Sequence, residues 1–166
     1  TMSIYPIPLA SVNNKDLDYY DIPTPEEMEL LVNQTQRMGG SQFRDREING
    51  KNIRIAVFDA GFPTVDINPA FDHIRKENRI IKTWDFLKNK DNVYGHSSHG
   101  TMVLSCIAGI IDKNSSGIIK TEMGLATGAE FLLARTESGV FEPYSEEENW
   151  LAAAEWADKN GAQIIS

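Results

Sequence analysis

Short apolar segments rich in β-branched residues alternate along this chain with segments that favour helix. The strand-like segments are "IRIAVF" (53–58), "RIIKTWDF" (79–86), "AEFLLART" (129–136) and "AQIIS" (162–166). Helix-forming segments such as "TPEEMELLVNQTQRMGG", "PAFDHIRKEN" and "SEEENWLAAAEWADKNG" lie before or between them. This alternation predicts an α/β fold with three layers, in which a largely parallel sheet carries helices on both faces.

The expected helix boundaries follow from capping residues and glycines. Thr24 and Ser145 each precede a glutamate by three residues, so each is expected to cap the helix that follows it. A further helix is predicted from His99 to about Ile111, because this stretch is apolar nearly all round, as in a helix buried within a fold. Cys106 lies in the same stretch and is expected to be a small core residue.

Composition excludes several classes of partner. The 166 residues carry a net charge of −8, whereas nucleic acids and acidic membranes require a basic face. No apolar run approaches the length of a membrane span, so neither a nucleic-acid partner nor a membrane span is expected. The single cysteine excludes an internal disulfide framework.

The segment "GHSSHGTMVLSCIAG" (95–109) holds two histidines directly before the predicted buried helix. A zinc site would need further ligands, and the glutamate of a zincin helix and a cysteine cluster are both missing. His96 is interpreted as a loop residue. His99 has a fixed direction on the first helical turn and is a candidate general base, and Asp59 ends the strand "IRIAVFD", where functional groups of parallel sheets gather.

The stretches "IRIAVFDAGF" and "HGTMVLSCIAG" resemble the first two catalytic motifs of the subtilisin-like serine proteases, the subtilases of peptidase family S8. Those motifs are an apolar strand leading to Asp-Thr/Ser-Gly, and His-Gly-Thr-His-Val-Ala-Gly opening a helix. The likeness continues through "GLATGAEFLLART" and the alanine-rich helix to "GAQIIS", over residues 37–166, and is strongest to Bacteroidetes-type members. It implies a subtilisin-like fold that is incomplete in this chain.

The resemblance also implies roles and partners. Asp59 would orient the imidazole and His99 would be the general base of an Asp-His-Ser triad in a serine endopeptidase. The serine and the oxyanion asparagine would lie in a carboxyl-terminal remainder, which is therefore an expected partner alongside a peptide or protein substrate. Residues 37–166 would form the amino-terminal half of the catalytic domain. Residues 1–36 would be an arm and helix, either a propeptide remnant or part of the mature domain.

Three departures from the family pattern leave a second interpretation open, namely a pseudoprotease that only binds peptides or partners. They are Ala60 in place of Thr or Ser, Met102 in place of the second histidine, and Leu104-Ser105 in place of Ala-Gly. None of them removes a reacting group.

The family resemblance implies a secreted or extracytoplasmic location. A dinucleotide-binding domain is a separate alternative, and it is set aside because "IAVFDAGF" has one glycine where that fold requires three.

By the same analogy, Glu137, Ser138 and Gly139 would line the substrate cleft and pair with an extended peptide, although an ordinary loop is the alternative. No cofactor is expected. Asp112 and Asn114 occupy the place of a calcium loop in some relatives, but two oxygen donors are too few for calcium. Thr1 as an N-terminal nucleophile is a further alternative, less favoured than a processing boundary.

Overall fold

A computed structural model of the chain describes residues 25–113, 119–138 and 144–166. The strands, in chain order, are β1 (Arg54–Asp59), β2 (Ile80–Asp85), β3 (Ile110–Lys113), β4 (Ile119–Glu122), β5 (Glu130–Arg135) and β6 (Ile164–Ile165). The α-helices are α1 (Pro25–Arg37), α2 (Gly40–Asp45), α3 (Asp72–Lys76), α4 (His99–Ala108) and α5 (Ser145–Lys159), and a 3-10 turn at Pro69–Phe71 precedes α3.

The central sheet has the strand order β2-β5-β1-β6, and all of its neighbouring strands run parallel. The two central strands are apolar and almost wholly buried, as expected of strands covered on both faces. The register pairs Asp59 with Arg135, and Arg135 with Asp85, so that the carboxyl ends of β1, β5 and β2 lie side by side.

Helices cover both faces of this sheet, which confirms the predicted α/β architecture. Alternate residues of a strand point to opposite faces, and the core divides accordingly. Ile55 and Val57 of β1 pack in the larger cluster with Ile74 of α3 and Leu104 of α4. On the other face, Ala56, Leu132 and Ala157 form a smaller cluster, to which α5 contributes.

The predicted helix from His99 to about Ile111 is too long. Helix α4 ends at Ala108, Gly109 takes an extended conformation, and Ile110 begins β3. β3 then pairs antiparallel with β4 as a hairpin outside the main sheet. A run of apolar residues does not by itself distinguish a buried helix from a strand, and here the β-branched pair Ile110-Ile111 pairs with β4 across the hairpin instead of continuing the helix.

Smaller differences concern the other helices. The predicted first helix is present, and Gly39 ends it in the left-handed conformation (φ 75°), but the short α2 that follows was not predicted. Ser145 is the first residue of α5 and not its cap, since the capping position is Tyr144 and no side chain caps that helix. Cys106 is exposed and not a core residue. Thr24 lies outside the described residues.

None of the helices in the described segments has the length and hydropathy that crossing a bilayer requires.

Candidate active site

Asp59 is the last residue of β1, at the carboxyl edge of the sheet, and only 4% of its surface is exposed. Its Oδ1 accepts a hydrogen bond from the Ala60 main-chain N–H at 2.7 Å. Its own main-chain carbonyl accepts a bond from the Thr136 N–H at 3.0 Å, which ties the end of β1 to the residue after β5. The carboxylate is therefore held by the residue that follows it, and the main chain of Asp59 is held by the residue that follows β5.

His99 lies 40 residues further along the chain and meets Asp59 at this edge. Its Nδ1 lies 2.8 Å from Asp59 Oδ2. A carboxylate only accepts hydrogen bonds, so Nδ1 carries the proton and, in the neutral ring, Nε2 keeps the free electron pair. The histidine side chain is 64% exposed and the aspartate side chain 5% exposed. The pair thus combines a buried carboxylate with an imidazole that an incoming group can reach.

Two features of the first turn of α4 allow this contact. Gly100 packs so closely on the turn after β1 that a Cβ atom would lie 2.8 Å from Asp59 Cβ and 2.9 Å from Phe62 Cε1. Thr101, which is buried, donates its hydroxyl hydrogen to the Pro63 carbonyl at 2.7 Å. A glycine therefore lets the helix approach β1, and a side-chain bond fixes it there.

The turn after Asp59 also packs against the segment that leads into α4. Gly61 has a φ of 143°, a conformation that side chains other than glycine rarely adopt, and a Cβ there would lie 3.0 Å from His96 Cβ. The main-chain N–H of Phe62 donates to the Val93 carbonyl at 2.9 Å. Glycines at these contacts keep both loops close to the Asp59–His99 pair.

A buried ion pair lies behind this turn, and sequence reasoning did not find it. Arg135 Nη1 lies 3.1 Å from Asp85 Oδ2, and both residues are at most 5% exposed. Asp85 Oδ1 accepts the main-chain N–H groups of Leu87 and Lys88 at 3.0 Å. Arg135 Nε donates to the Ala60 carbonyl at 3.1 Å. The only available signal was a charged residue at the end of each of three apolar strands.

His96 lies in the loop before α4 with a φ of 71°, and its Nε2 is 3.8 Å from Asp85 Oδ2. Its side chain is 29% exposed. Burial lowers the pKa of His96 below 6.5, and the positive charges of Arg135 and Lys88 lower it further, against the opposing effect of Asp85. His96 is therefore a partly buried loop residue that lies near Asp85. Among the described residues, it forms no hydrogen bond with Asp59 or His99.

Residues 50–166 match the model of the subtilase family of peptidases. The chain belongs to the subtilase family. Solved structures support the fold. MycP1 with its N-terminal propeptide removed is 19% identical with a TM-score of 0.53, over 81% of this chain and 35% of that one. MycP1 from Mycobacterium smegmatis is 18% identical with a TM-score of 0.51, over 80% and 34% of the two chains.

Fervidolysin from Fervidobacterium pennivorans, a keratinolytic enzyme related to subtilisin, is 24% identical with a TM-score of 0.50, over 72% of this chain and 17% of that chain. This subtilase chain therefore spans about a third of the length of the MycP1 chains, and less of fervidolysin. No curated protein sequence matches it. Subtilases are serine peptidases, and the fold of this chain agrees with that membership.

The other candidate residues of this subtilase chain are those expected to bind substrate or a metal ion. Glu137 and Ser138 follow Thr136, the first residue after β5, and both are partly buried. The Ser138 N–H donates to Glu146 Oε1 of α5 at 2.8 Å. Gly139 lies outside the described residues, as do Asn114 and Thr1. Asp112 lies on β3. Within the described part of the chain, His, Cys, Asp and Glu side chains form no cluster that would hold a metal ion.

Proposed function

We propose that this chain supplies the carboxylate and the general base of a serine endopeptidase that cleaves peptide bonds through an Asp-His-Ser triad. The observation that carries the proposal is the 2.8 Å contact between the buried Asp59 carboxylate and the exposed His99 imidazole. Membership of the subtilase family supports it, because subtilases are serine peptidases. The assignment of Asp59 as the orienting residue and of His99 as the base belongs to this proposal.

The proposed reaction uses each nitrogen of His99 for one purpose. A serine hydroxyl attacks the peptide carbonyl, and His99 Nε2 takes the hydroxyl proton as the Oγ–C bond forms. The same nitrogen gives that proton to the amine as the C–N bond breaks. Water then attacks the acyl carbon and loses a proton to Nε2. As the bond between the acyl group and Oγ breaks, Nε2 gives that proton to Oγ, which restores the serine and releases the acid. Throughout, Asp59 holds Nδ1–H and stabilises the imidazolium.

The serine and the oxyanion asparagine would come from a carboxyl-terminal remainder of the protease. Exposed apolar residues on β6 and α5 support the proposal that another part of the protein covers this side of the sheet. β6 is an outer strand of the sheet, and both of its isoleucines are exposed. Leu151 and Trp150 of α5 are 60% and 51% exposed. We propose that the remainder extends the sheet beyond β6 and covers these groups, since apolar sheet edges are not left bare in soluble proteins.

The substrate segment is proposed to be Glu137, Ser138 and Gly139, pairing with an extended peptide as an added strand. Glu146 already engages the N–H of Ser138, so the pairing would use main-chain groups of the neighbouring residues. The Glu137 carboxylate would favour a basic or hydrogen-bonding substrate residue. A cleavage profile that is indifferent to Glu137→Ala would contradict this specificity. By family analogy, the enzyme would act in a secreted or extracytoplasmic location.

The test is covalent labelling of the full-length protein with a serine-directed fluorophosphonate, followed by mass spectrometry of every chain present. We expect one serine outside residues 1–166 to be labelled in the wild type, and no labelling after His99→Ala. His73→Gln, which changes a histidine on α3, is the matched control and should label normally. Unimpaired labelling of His99→Ala would refute the triad assignment. A folded, unreactive wild type would instead favour the pseudoprotease, which the Ala60 and Met102 departures leave open.

A further inference from the structure

The guanidinium of Arg135 is linked to the Asp59–His99 pair by hydrogen bonds that meet at the main chain of Ala60. Its Nε–H donates to the Ala60 carbonyl at 3.1 Å, and the N–H of Ala60 donates to Asp59 Oδ1 at 2.7 Å. The other carboxylate oxygen receives the Nδ1–H of His99 at 2.8 Å. Ala60 is thus held on both of its main-chain polar groups, once by the arginine and once by the carboxylate that orients the base.

We propose that Arg135, held in place by Asp85, is a positioning residue for the Asp59–His99 pair. This inference deepens the proposed peptidase function and rests on it for its kinetic test. Asp85 fixes the orientation of the Arg135 guanidinium, and the Nε–H of that guanidinium fixes the Ala60 carbonyl. The N–H of Ala60 is then aimed at Oδ1, so that Oδ2 remains turned towards His99.

A role limited to holding the strands together does not explain this pair well. The main-chain ladder already joins β5 to β1 and to β2 along most of their length. Replacing a buried ion pair by apolar residues is often neutral for stability, because removing two charges from water is costly. Arg135 also bonds Ala60, in the turn that follows Asp59. An ion pair that served only to hold β2 and β5 together would not need this bond.

Loss of the positioning by Arg135 is expected to weaken stabilisation of the transition state and to leave substrate binding unchanged. Neither Arg135 nor Asp85 is exposed to a substrate, since both are buried. When the Ala60 carbonyl is no longer held, the main chain at Ala60 can change its φ and ψ angles and turn its N–H away. Asp59 then loses a donor and is less well oriented as charge develops on His99. An interaction that acts only on the charged transition state changes kcat and leaves KM unchanged.

The experiment uses the full-length protein with Arg135→Lys and a matched control. The lysine keeps a positive charge beside Asp85 but lacks the planar fork needed to bond Asp85 and Ala60 together. The control is Arg54→Lys. Arg54 lies at the opposite end of the β1–β5 pair from Arg135 and forms an ion pair with Glu130. We expect kcat per active site to fall about ten- to a hundredfold in Arg135→Lys with KM unchanged, because small misplacements of catalytic groups cost that much.

Two measurements separate positioning from a purely structural role. Fluorophosphonate titration counts competent sites, so unchanged kcat per titrated site with a lower melting temperature in Arg135→Lys would overturn the proposal. The second readout is the downfield proton NMR signal of His99 Nδ1–H. We expect this signal in the wild type and in Arg54→Lys, and expect it to shift or disappear in Arg135→Lys. A signal identical in all three proteins would also overturn the proposal.

If Arg135→Lys does not fold, the double variant Asp85→Asn with Arg135→Gln replaces it, because it leaves no unpaired buried charge. The same loss of kcat and of the NMR signal is expected. The NMR readout needs no peptidase activity, so it separates the positioning role of Arg135 from the proposed peptidase function. An inactive wild type in which Arg135→Lys still loses the signal would refute the proposed function alone. An active enzyme that tolerates Arg135→Lys would refute the positioning role alone.

Discussion

The Nδ1 atom of His99 lies 2.8 Å from Oδ2 of Asp59, and the two side chains differ sharply in exposure, at 64% and 5%. The carboxylate ends a strand of a parallel sheet, and the imidazole begins the helix packed on that strand. Both elements belong to the most buried part of the chain, so the pair is held by the core and does not depend on a mobile loop. Such preorganisation is what an orienting carboxylate and its base require.

The proposed function predicts that removing either member of this pair nearly abolishes turnover by the full-length protein. Asp59→Asn keeps the size of the side chain but no longer stabilises the imidazolium, so we expect kcat to fall by about four orders of magnitude. His99→Ala should lose at least as much, and the double variant about the same as His99→Ala alone, because the two residues act as a unit.

The readout is steady-state peptide hydrolysis at fluorophosphonate-titrated enzyme concentration. Circular dichroism should report a retained fold for both single variants, since neither substitution leaves a cavity in the core. Additive losses in the double variant would show that the two residues act independently, and the pair would then lose its assigned mechanism.

Much of the fold and the pair itself could be predicted from sequence because their signals are local. Continuous apolar runs such as 53–58 and 129–136 indicate buried strands. The observed β1 begins one residue later and ends one residue later than the first run, and β5 lies within the second. Asp59 and His99 each stand in a short motif next to a regular element, so each could be recognised without knowledge of the other. Their contact was expected from the resemblance to the subtilase motifs, which implies that the carboxylate orients the imidazole.

Other features depend on contacts that no short stretch of sequence encodes. Asp85 and Arg135 are 50 residues apart, and neither stands in a motif, so their pairing emerges only from the register of β2 and β5. The β3–β4 hairpin was missed because apolar periodicity ran through Gly109 without a visible break. The exposure of Cys106 was missed for the same reason, since an all-apolar helix shows no solvent face in its sequence.

The close approach of α4 to β1 predicts that Gly100→Ala is disruptive. The new Cβ would lie 2.8 Å from Asp59 Cβ, so the helix must move away from the strand. We expect a loss of about 1–3 kcal/mol in the free energy of unfolding, as for other overpacked sites. Activity should fall further, about a hundredfold, because His99 moves with the helix.

Gly95→Ala is the matched control for that substitution, since a Cβ there meets nothing within 4 Å. Urea denaturation and peptide hydrolysis of both variants supply the measurements. Equal effects of the two substitutions would show that glycine content in general, and not the helix–strand contact, limits the enzyme.

The bond from the Thr101 hydroxyl to the Pro63 carbonyl predicts different outcomes for two substitutions at one position. Thr101→Val keeps the shape of the side chain but leaves the carbonyl without its donor, which should cost about 1–3 kcal/mol. Thr101→Ser keeps the donor and loses a methyl group. We expect kcat to fall in the valine variant and to be retained in the serine variant. A serine variant with the same loss of kcat would show that the methyl packing, and not the bond, fixes α4.

The lowered pKa of His96 predicts an acid-dependent loss of stability that one substitution should remove. The folded state holds this pKa below 6.5 through burial and through the charges of Arg135 and Lys88. In the window between the folded pKa and 6.5, the unfolded chain therefore binds more protons at this site than the folded chain. Stability consequently falls as the pH drops below about 6.5, and it is undiminished above that value.

His96→Asn removes this titration while suiting the backbone, because asparagine tolerates the left-handed conformation that His96 adopts (φ 71°). In urea unfolding of the full-length protein at pH 7, 6 and 5, we expect the variant to gain stability relative to the wild type as the pH falls. The relevant neighbours, Asp85, Arg135, Lys88 and Lys90, are present in both proteins, so their own titration cancels in the comparison. Parallel stability curves for the two proteins over this range would mean that burial of His96 does not oppose its protonation.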